Sequence, residues 1–255
     1  MKILLGIDNG TGGCKVTAID ETGAFVGEAS TEYATYHDRP GWSEQEPGDW
    51  WTALCTSLKK LSEKGVDLKS VAALALDGST HNAVLLDGGY NPIRRTIMWT
   101  DQRATAECEE LRAKWGEKIF ATCFQMPAPT WTLPQMMWLK AHEPEALERV
   151  EHVLFVKDYV RYLMTGHAAT DYIEAQGTLL CNIKWLNCSI KIGSESFRSG
   201  RRAALGATFA SNDAPSKIER RARSGVLVRS VRDFEAGPSR PRRDTFCSTQ
   251  TERTR

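Results

Sequence analysis

The stretch that decides the fold is KILLGIDNGTGGCKVTAID at residues 2–20. The apolar run at residues 2–8 ends at Asn-Gly, which is typical of a buried strand followed by a turn. A second strand-like run occupies residues 14–19, and after a turn a third follows at residues 24–29. The sequence therefore predicts a β-meander with a glycine-rich loop between its first two strands.

Strand-like and helix-like segments alternate after this meander, which predicts an α/β domain. Apolar residues at helical spacing predict helices at residues 46–65, 101–114, 134–141 and 157–164. Shorter apolar runs predict strands at residues 71–76, 83–86, 97–99 and 153–156. Trp50 and Trp51 lie on the apolar side of the first helix, so we expect both in the core.

The loop at residues 10–13 has three glycines in four positions. Such a loop lets backbone N–H groups approach an anion closely, and the hydroxyl of Thr11 adds a donor. Asp8, at the end of the first strand, can hold Mg²⁺ through water. The loop matches neither a Walker A sequence nor a G-x-G-x-x-G fingerprint. An ordinary glycine-rich turn remains the alternative.

A polar loop, Ser-Thr-His-Asn at residues 79–82, follows the predicted strand at 71–76. Loops at the carboxyl ends of strands are where α/β proteins bind ligands, and these four side chains can hydrogen-bond hydroxyl groups. The alternative for His81 is a structural or merely exposed histidine.

Four other positions have a structural interpretation, and for two of them a ligand-binding alternative stays open. From the residues alone, Asp101 is best interpreted as a helix N-cap and Arg103 as a solvated first-turn residue. Trp42 is either a core residue or one wall of a sugar site. Asp171 either faces a polyol or caps a turn.

The composition changes after about residue 184. Residues 191–255 contain 15 Lys and Arg, 13 of them Arg, but only 7 Asp and Glu, and no Trp or Tyr. We therefore expect a domain at residues 1–188 and an Arg/Ser-rich tail at residues 189–255 that is disordered or poorly packed. The alternative is that the tail is not native sequence, for example the product of a frameshift. Residues 226–231 are the only strand-like segment in the sequence of the tail.

Several classes of protein are not expected. No apolar run approaches the roughly 18 residues of a membrane span. The seven cysteines form no C-x-x-C pair, which favours reduced thiols and a cytoplasmic protein. The basic tail lacks aromatic stacking platforms, so we expect no specific nucleic-acid partner.

Taken together and in order, the motifs resemble the FGGY carbohydrate kinases, most of all their xylulokinase branch, over about residues 1–184. The motifs are D-x-G-T-x-G-x-K from Asp8, W-S-E-Q-x-P-x-x-W-W from Trp42, G-x-x-H from Gly78, W-x-D-x-R from Trp99, W-x-x-x-H-E-P from Trp138 and K-D-Y-x-R-x-x-x-T-G from Lys157.

The resemblance implies a ribonuclease-H-like, actin-like fold and an active site between two domains. It also implies that ATP and Mg²⁺ serve to phosphorylate a sugar hydroxyl, and that full-length relatives can form homodimers. Asp8 would hold Mg²⁺, and the phosphate contacts would be Gly10, Thr11, Gly12, Gly13 and Lys15. The sugar region would comprise Thr80, His81, Asn82, Trp99, Asp101 and Arg103.

Two departures from the family pattern matter. Many relatives have Gln-Met-His-Gly where this chain has Ser79 to Asn82, so the substrate stays open among a pentulose such as xylulose, another ketose, a polyol and an aldonate. The family's general base is an Asp in a second domain, and no Asp of the tail has its glycine-rich context. We therefore expect a truncated N-terminal half that is inactive alone, with a non-catalytic sugar-binding module as the alternative.

Overall fold

The computed structural model describes residues 1–181. The eight strands are β1 (Ile3–Asn9), β2 (Gly13–Asp20), β3 (Phe25–Glu32), β4 (Glu44–Gln45), β5 (Val71–Gly78), β6 (Ala83–Leu86), β7 (Thr96–Ile97) and β8 (His152–Phe155). The six α-helices are α1 (Pro47–Glu63), α2 (Thr105–Cys123), α3 (Thr132–His142), α4 (Pro144–Glu148), α5 (Val156–Thr165) and α6 (Tyr172–Gly177), and a short 3₁₀ helix spans Leu68–Ser70.

The main sheet has four strands in the order β3-β2-β1-β5. The first three form an antiparallel meander, and β5 pairs parallel to β1. Residues alternate along β1, so Ile3, Leu5 and Ile7 are buried on one face while Gly6 and Asp8 are exposed on the other. The predicted meander and the predicted α/β class are both confirmed.

Helix α1 covers the buried face of this sheet, against β2 and β3. Pro47 begins the helix, and Gly65 follows its end with φ of +95°. Trp50 is fully buried and Trp51 nearly so. The prediction that both tryptophans lie in the core is therefore confirmed.

Two small sheets, β4–β7 and β6–β8, complete the strands of the described residues. Helix α5 begins directly after β8, and Gly166 caps its end in the left-handed conformation, with φ of +71°. The apolar side of α5 is core, with Tyr159, Val160 and Tyr162 buried.

The prediction was wrong about the bounds of α2. The helix begins at Thr105 and continues to Cys123, whereas residues 101–114 were expected. Phe124 ends the helix with φ of +55°. Glycine usually occupies this left-handed position at a helix end, and a glycine would have been visible in the sequence.

The tail predictions for residues 189–255, including the strand-like island at 226–231, lie outside the described residues. Among residues 1–181, no helix is both long and apolar enough to cross a membrane.

Candidate functional site

Strands β1 and β5 end side by side, which brings two predicted loops together. In the parallel register Asp8 pairs with Asp77, and Asn9 pairs with Gly78. Just beyond this point the backbone N–H of Ser79 donates to the Asn9 carbonyl at 2.8 Å. We refer to residues 10–13 as the glycine loop and to residues 79–82 as the polar loop. Both begin at the same edge of the sheet.

The glycine loop is tight on one side and open on the other. The Gly10 N–H donates to the Gly13 carbonyl at 3.0 Å, which closes the turn. A Cβ on Gly13 would lie 2.8 Å from the Thr31 carbonyl oxygen, so only glycine fits there. A Cβ on Gly12 would meet nothing within 4 Å, and Gly12 is exposed. The loop therefore presents open backbone at Gly12.

A buried side chain, Gln45, and a half-buried one, Tyr33, hydrogen-bond to the backbone of the glycine loop. The Gln45 amide donates from Nε2 to the Thr11 carbonyl at 2.7 Å, and its Oε1 accepts the Trp50 indole N–H at 2.9 Å. The Tyr33 hydroxyl donates to the Gly10 carbonyl. Burial raises the pKa of Tyr33, so this donor keeps its proton. Sequence reasoning missed Gln45 and Tyr33 as supports, although Gln45 lies within the W-S-E-Q motif.

A chain of hydrogen bonds joins the glycine loop to the polar loop. The Trp99 indole N–H donates to the Thr11 hydroxyl at 2.9 Å, and that hydroxyl lies 3.5 Å from the Ser79 hydroxyl. Asn82 donates to the Ser79 hydroxyl at 2.7 Å and accepts the Trp99 backbone N–H at 2.6 Å. Asn82 thus holds Ser79 and the Trp99 backbone, and because it is fully buried it has no surface open to a ligand.

Asp101 and Arg103 form a buried ion pair instead of the expected cap and solvated side chain. Two oxygens of Asp101 accept from the Arg103 guanidinium, at 2.8 and 2.9 Å, and Arg103 also reaches Glu44 at 2.7 Å. Asp101 further accepts the Ser43 N–H at 2.6 Å. The N-cap of α2 is Ala104. The first interpretations of Asp101 and Arg103 were wrong because Glu44 and Asp101 together neutralise a buried guanidinium.

Trp42 packs on this ion pair. The Arg103 guanidinium lies 3.7 Å from the ring centroid of Trp42, and Trp138 meets the ring edge-on at 5.4 Å. Trp42 also borders a surface depression of about 470 Å³. The other residues lining it are His37, Asp38, Arg39, Pro40, Gly41, Ser43 and Thr100. None of these residues belongs to either loop, so the depression is separate from them.

Thr80 and His81 form the outer part of the polar loop. Thr80 is exposed, whereas the His81 ring is wedged edge-on against Trp131, with ring centroids 4.3 Å apart. The His81 backbone N–H donates to Glu174 on α6 at 2.9 Å. Sequence reasoning missed Glu174. Asp171 accepts two backbone N–H groups at the start of α6, so it is a helix cap.

The model of the N-terminal domain of the FGGY family of carbohydrate kinases matches residues 3–194. The chain belongs to this family. FGGY membership agrees with the ribonuclease-H-like, actin-like fold that the motifs imply.

The most similar FGGY relatives include xylulose kinases. The chain is 36% identical over 191 residues to the xylulose kinase of Bacillus subtilis, which covers 73% of this chain and 38% of the relative. It is also 36% identical over 179 residues to the xylulose kinase of Escherichia coli, covering 70% and 37%. The crystal structure of a xyloylose kinase from Brucella ovis matches with a TM-score of 0.66 at 33% identity. The match covers 70% of this chain and 37% of the Brucella ovis chain. The chain thus spans less than two fifths of the length of these FGGY relatives.

FGGY kinases use ATP, generally with Mg²⁺, and the donors of this chain suit both. The Asp8 carboxylate is exposed beside the glycine loop, and a Cβ on Gly10 would lie 3.8 Å from it, in space that glycine leaves open. Lys15, its register partner on β2, is exposed and lies 3.9 Å from Glu28. Within residues 1–181 no group of three or more His, Cys, Asp or Glu could hold a metal alone.

Proposed function

We propose that the chain is the phosphate-binding and sugar-binding half of an ATP-dependent, Mg²⁺-dependent sugar kinase. The γ-phosphoryl group would pass to a hydroxyl of a pentulose such as xylulose. The observation that carries this proposal is the hydrogen bond from Trp99 to Thr11, because it joins the glycine loop to the polar loop. The names of the most similar relatives support the choice of xylulose.

The phosphate end of the site is formed by the glycine loop. The exposed backbone at Gly12 and the Thr11 hydroxyl offer donors to phosphate oxygens, with Gly10 and Gly13 shaping the turn. Lys15 adds a positive charge on the same face of the sheet. The three glycines have no side chains, so an anion can approach their backbone directly.

Asp8 would hold Mg²⁺, with the Asp77 carboxylate on the neighbouring strand. Mg²⁺ takes one or two carboxylates together with water and phosphate oxygens, which suits this donor set. Bound ATP and Mg²⁺ supply the transferable phosphoryl group and neutralise its charge. The role of the chain's own carboxylates is to fix the cation beside the glycine loop.

The sugar end of the site is formed by Thr80, His81 and the exposed face of the Trp99 indole. Trp99 is 46% exposed, and an aromatic face packs well on sugar C–H groups. Asn82, Asp101 and Arg103 are buried, so we propose that they act by positioning Trp99 and the polar loop. This division separates residues that contact the sugar from residues that hold them in place.

We assign no general base among residues 1–181, and the loss of a base typically costs about 10²–10⁴-fold in rate. We therefore propose that the 255-residue polypeptide alone transfers phosphate negligibly. A coupled assay of ADP release over a panel of ketoses, polyols and aldonates tests this, with the Bacillus subtilis relative and xylulose as the positive control. Turnover by the polypeptide that approaches the control would overturn this part of the proposal.

A further inference from the structure

Glu174 holds the backbone of the polar loop in a strained conformation. Its Oε2 accepts the His81 N–H at 2.9 Å, across 93 residues of sequence. His81 has φ of +64°, the left-handed region that costs a non-glycine residue free energy. Glu174 is 1% exposed at its side chain, so the hydrogen bond is shielded from water. The carboxylate thus stabilises the one conformation of His81 that the loop uses.

The His81 ring is confined between Trp131 and α6. A Cβ on Gly177 would lie 1.9 Å from Nδ1 of His81, so a glycine at that position lets the ring approach the helix. Nδ1 is buried and has no hydrogen-bond partner among the described residues. It lies 3.8 Å from the same Oε2 of Glu174. Burial lowers the pKa of His81, and the Lys157 ammonium lowers it further, so the ring is neutral near pH 7.

A neutral imidazole carries its single proton on one of two ring nitrogens. A proton on Nδ1 would face the Glu174 carboxylate and be attracted by it. A lone pair on Nδ1 would face the same negative charge and be repelled. The carboxylate therefore favours the Nδ1–H tautomer, which leaves Nε2 as a hydrogen-bond acceptor.

Lys157 keeps the Glu174 carboxylate in place. Its ammonium lies 3.5 Å from Oε1 of Glu174, 2.9 Å from Asp171 and 3.2 Å from Asp158. Arg161 faces Asp158 at 3.4 Å. Burial raises the pKa of Glu174 to about 7, against the opposing effect of the Lys157 ammonium. Above that pH the carboxylate that faces His81 is charged.

We propose that Glu174 is a positioning residue that fixes both the backbone and the tautomer of His81, so that Nε2 accepts a hydrogen bond from a sugar hydroxyl. The sugar contact in this statement rests on the proposed function. The assignment of the tautomer is independent of the proposed function, because the carboxylate acts on the ring whether or not a sugar is bound.

The test is long-range ¹H–¹⁵N spectroscopy of the ¹⁵N-histidine-labelled 255-residue chain at pH 8, without ligand. We expect the Nδ1–H tautomer for His81 in the unsubstituted protein and a shift toward Nε2–H in Glu174→Gln, which keeps the shape of the side chain and loses its charge. Asp171→Asn is the matched control, because it removes another carboxylate around Lys157 without touching His81. It should leave the tautomer unchanged.

Titration with xylulose gives the second readout. Glu174→Gln should weaken sugar binding about tenfold, the equivalent of one net hydrogen bond, and Asp171→Asn should not. A dominant Nε2–H tautomer in the unsubstituted protein would overturn the proposal, as would a Glu174→Gln protein with unchanged tautomer and unchanged affinity. An unsubstituted protein that shows the Nδ1–H tautomer but binds no sugar would contradict the proposed function and leave the role of Glu174 in fixing the ring intact.

Discussion

The indole N–H of Trp99 donates to the hydroxyl of Thr11 at 2.9 Å, across 88 residues of sequence. Thr11 belongs to the loop that we propose binds phosphate, and Trp99 to the region that we propose binds sugar. The two halves of the proposed site are therefore connected before any ligand is present.

Trp99→Phe should uncouple the two loops. The substitution keeps an aromatic face and loses the N–H, and a net hydrogen bond contributes about 1 kcal/mol. Because Trp99 is partly exposed, we expect the free energy of unfolding to fall by no more than about 1 kcal/mol. Xylulose and Mg·ATP should each still bind. In calorimetric titrations, however, each ligand should raise the affinity for the other by a smaller factor than in the unsubstituted protein. Trp115→Phe on α2 is the control, and an equal loss of coupling there would contradict the assignment.

Gln45→Leu should destabilise the glycine loop. The change leaves the Trp50 indole N–H and the Thr11 carbonyl without their partner, and an unsatisfied buried polar group costs about 1–3 kcal/mol. We expect a loss of about 2–4 kcal/mol in urea unfolding, as a sum over the two groups. The exposed Gln102→Leu should change the free energy of unfolding by less than about 0.5 kcal/mol. Equal stabilities of the two variants would refute the supporting role of Gln45.

Gly13→Ala and Gly12→Ala should have different effects. A Cβ at Gly13 meets the Thr31 carbonyl oxygen at 2.8 Å, so we expect a loss of about 1–3 kcal/mol in stability. A Cβ at Gly12 meets no protein atom within 4 Å, so stability should be nearly unchanged while Mg·ATP binding weakens. Thermal unfolding and nucleotide titration separate the two. A Gly12→Ala protein with undiminished nucleotide affinity would argue against phosphate binding at this loop.

Glu174 should make stability depend on pH. Burial raises its pKa from 4.5 to about 7, so the folded chain holds this proton more tightly than the unfolded chain. Its favourable contribution is complete below pH 4.5 and is lost as the pH rises through 7. Relative to Glu174→Gln, the protein should lose up to about 3 kcal/mol between pH 4.5 and 8. His81, with its lowered pKa, acts in the opposite direction but is present in both proteins.

Urea unfolding at several pH values measures that difference. The Asp171→Asn protein serves as the control within the same charged cluster. Burial alone would raise the pKa of Asp171, but hydrogen bonds from the Glu174 backbone and from Lys157 outweigh burial and lower it. Asp171 therefore affects stability with the opposite dependence on pH. A pH-independent difference between the unsubstituted protein and Glu174→Gln would mean that Glu174 is not held in the buried environment described above.

The meander, α1 and α5 could be predicted because their signals are local. Alternating burial marks β1, and Gly65 and Gly166 mark helix ends by conformations that glycine adopts freely. The end of α2 could not be predicted, because Phe124 adopts the left-handed conformation without a glycine. The local sequence therefore contains no signal for the end of this helix.

The candidate site was predictable in its loops but not in its supports. The glycine spacing pointed to the loop at residues 10–13, and a polar segment after a strand pointed to His81. The burial of Arg103 depends on Glu44, 59 positions earlier, and the backbone of His81 depends on Glu174, 93 positions later. Such pairings arise from the fold, so no short motif displays them.

The most direct test of the account is calorimetric titration of the 255-residue chain with xylulose, in the absence and in the presence of Mg·ATP. We predict that xylulose binds and that Mg·ATP raises its affinity, because Thr11 and Trp99 link the two loops. Xylulose binding that is indifferent to Mg·ATP would contradict the account and indicate a sugar-binding module without a kinase site.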